Sequence, residues 1–130
     1  MEDQKDEVLN RLERLYNNLD TGMTRERYLD LCEQMGNEPI EEEIPPDWDD
    51  FPEIVTLAAN TFSQLGDRIQ ADIGYIGKDY TNFEFLLKHY GIEEHNKEFV
   101  FELLLWLDSR AIEESQKKLK AEYDRMKRKS

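Results

Sequence analysis

The chain has 130 residues and a mass of 15.5 kDa, with 30 acids against 17 bases and a formal net charge of −13. The acidic excess argues against a general nucleic-acid binder and against docking on an anionic membrane, because both need clustered Lys and Arg. Fourteen aromatic residues argue against a fully disordered chain, and no apolar run approaches the ~20 residues of a membrane span.

The length suits one domain with a modest core. Cys32 is the single cysteine and has no internal disulfide partner, which points to a reducing compartment. The opening MEDQKDEVLN lacks the apolar segment of a secretory signal. The expectation is a soluble cytoplasmic protein, in the host cytoplasm if the source is viral.

In chain order, Val8, Leu12, Leu15 and Leu19 recur at helical spacing and predict a helix over 1–20, stopped at Gly22. Thr24 can cap a second helix with Tyr28, Leu31, Cys32 and Met35 on one face and Gly36 as its stop. Because MTRERYLDL from Met23 would itself make a credible start, 1–22 read as a helical extension to a core domain over 23–116. Residues 38–50 read as an acidic, Pro-rich linker. Across 38–53 there are eight acids, no base and all four prolines, with Ile44, Trp48 and Phe51 as apolar islands.

A third helix is expected from Phe51-Pro52-Glu53 to Gly66, capped by Asp50. Residues 67–80 are the least periodic, with Gly74 and Gly77 marking a turn and room for a small hairpin near 69–76. Thr81-Asn82-Phe83-Glu84 reads as a capping box opening a fourth helix that stops at Gly91. The longest helix, about 95–126, begins with the apolar FVFELLLWL around Trp106, expected in the core, and continues as a thin stripe of Leu119, Tyr123 and Met126. The expected fold class is therefore all-α, a compact bundle of about five helices whose long C-terminal helix partly protrudes. Residues 117–130 form a basic helical tail with seven bases and two acids. Nucleic acid, if bound at all, is expected only through that tail.

The patterns that carry chemistry are mostly incomplete. Gly74-Tyr75-Ile76-Gly77-Lys78-Asp79 lacks the first glycine of a phosphate-binding loop, where Asp72 stands, and Asp79 replaces its hydroxyl residue. His89, Glu93, Glu94 and His95 straddle Gly91 and do not share a helix face. Asp47, Asp49 and Asp50 lack the glycine and the distal Glu of a calcium loop. Cys32 has no sequence neighbour that would lower its pKa. No catalytic residue, metal or cofactor is expected.

PPDWDDFP leads into a helix bearing Val55, Phe62 and Leu65. Asp67-Arg68, the loop GYIGKDY, the helix end Tyr90-Gly91-Ile92 and the apolar FELLLWLDSRAI follow in that order. This arrangement, over about residues 45–115, resembles the small tail-assembly chaperones and related accessory proteins of tailed bacteriophages. Where that family often has Gln-Trp-Arg, this chain has Gly66-Asp67-Arg68. The resemblance implies a non-enzymatic helper that binds an elongated tail protein, a protein partner and no membrane. The candidate working surface is Tyr75, Gly77, Lys78, Asp79 and Tyr80, with Trp48 and Phe51. The competing reading of the loop is that Tyr75 and Tyr80 cover the core and the glycines serve turns. An alternative function is a DNA-mimicking inhibitor of a host nucleic-acid enzyme, since the chain outside the basic tail is strongly acidic.

Overall fold

The fold is described from a computed structural model for residues 2–129, with side chains from 5 to 129. Among the described residues it is all-α apart from one small hairpin, and its five helices end in a long C-terminal one. The chain forms two compact units, Met1–Pro52 and Glu53–Ser130, so residues 1–22 belong with the segment up to Pro52.

The first unit holds α1 (Glu2–Thr21) and α2 (Arg25–Gln34), followed by two short 3-10 turns, Glu41–Glu43 and Trp48–Asp50. On α1 the helical spacing places Leu12 and Leu15 inside, while Leu19 is 45% exposed. Thr24 caps α2 by accepting from the Arg27 N–H at 3.3 Å. Gly22 and Gly36 adopt positive φ just past the two helices, as expected of C-terminal stops. The α2 stripe departs from expectation. No residue of that helix is buried, and Met35, just beyond it, is 71% exposed.

The Pro-rich stretch is not a plain extended linker. Arg25 holds it, donating from Nε to the Pro45 carbonyl at 3.1 Å and from its terminal nitrogens to Asp49 and Asp50. Asp50 does not serve as the cap of the third helix. Its carboxylate accepts from the Asp47 N–H at 3.0 Å, closing a capping box around the Trp48 turn.

The second unit is built on α5 (Lys97–Lys129), preceded by a 3-10 turn at Glu94–Asn96. Against α5 pack α3 (Glu53–Gln64) and a hairpin of β1 (Gly66–Gln70) and β2 (Gly74–Asp79), while α4 (Phe83–His89) lies on α3. Buried Val55, Ala58 and Leu65 from the α3 side, Phe83, Leu86 and Leu87 around α4, and Val100, Leu103, Leu104 and Leu107 of α5 make its core. Trp106 is half-buried rather than central.

The hairpin near 69–76 forms, and it is longer than expected. Its strands are antiparallel, pairing Arg68 with Gly77 but Ile69 with Tyr75, so Ile76 is an extra residue on β2 and the ribbon is bulged there. Thr81 does not cap α4. Its hydroxyl and N–H both donate to Asp79 Oδ1, at 2.5 and 2.9 Å, and Asn82 stands at the cap position with no side-chain bond.

Candidate functional site

The second unit contains one dense polar constellation, centred on Asp108. The helical spacing that buries Val100, Leu104 and Leu107 also buries Asp108, at 8% exposure. A carboxylate in that position needs donors, because an unpaired buried charge is strongly destabilising. The hairpin supplies them. Tyr75 Oη donates to Oδ1 at 2.5 Å. Tyr80 Oη and the Lys78 N–H donate to Oδ2 at 2.9 and 3.0 Å.

Gly77 allows this approach. Its φ is +127°, and a β-carbon there would lie 3.3 Å from Asp108 Oδ2. Burial, then the hydrogen bond to Asp108 and its charge, push both tyrosines well above the ordinary phenol range, so they stay protonated donors.

Lys78 turns its amine the other way. It donates to the Leu65 carbonyl, just past the end of α3, at 3.2 Å and to Asp67 Oδ1 at 2.6 Å, and lies 4.7 Å from the centre of the Phe62 ring. The ammonium therefore satisfies a helix-end carbonyl and covers an aromatic face, a structural use of a nearly buried cation.

Among the expected site residues, Tyr75, Gly77, Lys78 and Tyr80 thus converge on Asp108 and its surroundings. Asp79 is exposed and serves the turn into α4, and its bonds from Thr81 hold its carboxyl below the usual carboxylate range. Trp48 and Phe51 belong to the first unit. There the half-buried Trp48 ring packs edge-on against Tyr16, centroids 6.0 Å apart, and lies 6.2 Å from buried Phe51.

Asp108 itself escaped the sequence reading. The available signal was a single acid continuing the core periodicity of an otherwise apolar run. Phe62, Leu65 and Asp67 stand out in the sequence as parts of a helix and the pair after it, but nothing there joins them to Lys78, because their meeting depends on the bulged hairpin.

Chemically, the Asp108 group is a closed lock. Both carboxylate oxygens and the lysine amine are already engaged, so its polar atoms hold the hairpin to α5. Among the described residues no cluster of three His, Cys, Asp or Glu side chains could hold a metal ion. No described helix is long and apolar enough to cross a membrane.

Two apolar features lie outside this lock. Phe101 and Leu105, one turn apart on α5, are 38% and 44% exposed, and the Phe101 ring lies 6.0 Å from Tyr80 and 5.6 Å from Phe83. Farther along, every described residue from Gln116 to Lys129 is exposed, including Leu119, Tyr123 and Met126.

In the first unit a cleft of about 520 Å³ is lined by Arg11, Arg14, Arg25, Leu29, Glu41 and Ile44, among others. Its arginines are engaged: Arg11 with Glu7 at 3.6 Å, Arg14 with the Glu42 carbonyl at 2.8 Å, and Arg25 as above. No family model, no curated protein and no solved structure matches the chain.

Proposed function

We propose that the protein is a non-catalytic interaction factor, an assembly helper of the phage type that its motif order resembles, acting on an elongated helical tail protein. The observation that carries this reading is the exposed pair Phe101 and Leu105, continuous with the Tyr80 ring at the end of the GYIGKDY segment. An apolar patch held on a rigid helix suits the apolar face of a partner helix. The Asp108 lock supports the reading by fixing Tyr80 beside the patch, so the loop acts through its placement and its inward polar groups stay occupied.

The acidic first unit, with sixteen acids against five bases, favours the DNA-mimic alternative. The discriminating experiment uses the tagged chain as bait in a lysate of its native host, infected if the source is viral. A long helical virion protein retained at high salt, and lost with Phe101→Ser/Leu105→Ser, supports the assembly reading. A host nucleic-acid enzyme that is released at high salt and ignores those substitutions favours the mimic.

A further inference from the structure

We propose that the exposed end of α5 docks on the acidic unit of a second copy of this chain. Asp108, Ile112 and Ser115 lie on one line of α5, and the hairpin covers it: Gly77 faces Asp108 and Ile112, and Gly74 faces Ser115. At steps of four, four and three the same line continues to Leu119, Tyr123 and Met126. Past the hairpin these three side chains are 43%, 64% and 65% exposed, with Lys127 Nζ 5.7 Å from the centre of the Tyr123 ring. Around the stripe, residues 117–130 carry seven bases and two acids. Ion pairs there, such as Lys117 with Glu114 at 3.8 Å and Arg125 with Glu122 at 3.5 Å, are exposed contacts one turn apart on the helix and are weak enough to be exchanged. An apolar stripe set among cations selects an acidic surface that also offers apolar contacts.

The first unit of a second copy has both properties. It carries sixteen acids against five bases, and its Arg11, Arg14 and Arg25 are engaged within the unit. Its α2 buries no residue, and Leu29, Met35 and Ile40 are 37%, 71% and 52% exposed beside Asp30, Glu33 and Glu38. A nucleic acid would meet the same basic tail but offers the stripe no aliphatic side chains such as Leu29, Met35 and Ile40, and an extended anionic membrane offers no matching array of single carboxylates beside them. The second copy is therefore the favoured occupant. Each chain has one tail and one acidic unit, so a reciprocal two-fold exchange would leave neither unmatched.

Sedimentation velocity of the full chain at about 100 µM tests this, since self-association scales with concentration. The expected result is a dimer at low salt that weakens at least tenfold in high salt. Lys118→Glu/Lys120→Glu/Arg128→Glu should be monomeric, as should Asp30→Lys/Glu33→Lys/Glu38→Lys. An equimolar mixture of the two should recover a dimer. All six positions are exposed, and circular dichroism confirms that each variant keeps its helices. A monomeric parent at low salt overturns the proposal. So does a tail variant that still dimerises, or a mixture that stays monomeric. Tail-dependent binding of a DNA duplex or of phosphatidylserine vesicles by a chain that never self-associates overturns it in favour of a polyanion. Client capture is read separately through Phe101 and Leu105, so a monomer that still retains a client leaves the assembly reading intact.

Discussion

Asp108 is the residue on which the second unit depends. Replacing it by Ala leaves the Tyr75, Tyr80 and Lys78 donors facing a void, and thermal melting should show a loss of about 3–5 kcal/mol. Tyr80→Phe removes one of three donors and should cost about 1 kcal/mol. Gly77→Ala combines a strained φ with a contact against the carboxylate, and its cost should reach roughly 1–3 kcal/mol.

The two phenols also set a pH dependence. Their folded pKa values lie above the ordinary value near 10, so the stabilisation they confer is complete below about pH 10 and is lost as pH rises through the raised values. Melts of the parent should fall more steeply above pH 10 than melts of Tyr75→Phe/Tyr80→Phe, and equal slopes would contradict this assignment. Part of this was legible at the level of single residues: Tyr75, Gly77, Lys78 and Tyr80 stand out around a glycine-punctuated turn, whereas Asp108 shows only as one acid in an apolar run and was missed. Their meeting was not legible, because it requires tertiary placement of a hairpin that has no strong strand signal of its own.

At the scale of elements, the helices were read with most success where a glycine stops them, at Gly22, Gly36 and Gly91, all with positive φ. Periodicity located α2 but not its burial, since a ten-residue amphipathic helix has the same pattern whether or not a partner covers it. The two misassigned caps have a common cause. Asp50 and Thr81 each found a nearer partner, Asp47 and Asp79, and short polar side chains compete for local backbone groups over a few residues.

The second half of α5 has no buried side chain among 116–129, so in dilute, high-salt solution, where self-association is suppressed, a chain ending at Gln116 should melt within about 2 °C of the parent, as expected for the loss of exposed positions. A larger drop would mean that the tail supports the second unit. The same shortened chain should lose salt-sensitive self-association, which separates the tail's use from its structural weight.

At the scale of the molecule, charge is unevenly divided. The first unit is strongly acidic and the last fourteen residues are basic. This division is plain in the sequence, whereas the boundary at Pro52 is not. Proline-rich acidic segments have no period, and this one gains its order from distant side chains, Arg25 and Tyr16, that local reading does not connect to it. Removing residues 1–22 takes away buried Leu12 and Leu15 and leaves Trp48 without Tyr16. Amide exchange across 24–52 should then speed up markedly. Unchanged protection there would show that α1 is dispensable to the first unit.

The bulge in the hairpin sets a rule about chain length. Along β1, Ile69 to Gly66 is three positions, while the matching stretch of β2, Tyr75 to Asp79, is four. That odd count lets Tyr75 and Tyr80, five residues apart, reach one carboxylate. In an unbulged strand they would point to opposite faces. Residue identity at position 76 is therefore forgiving, and residue number is not. Among sequence variants of this chain, substitutions at Ile76 should be common and single-residue deletions between 75 and 80 should be purged, because a deletion shifts the reading of one face against the other.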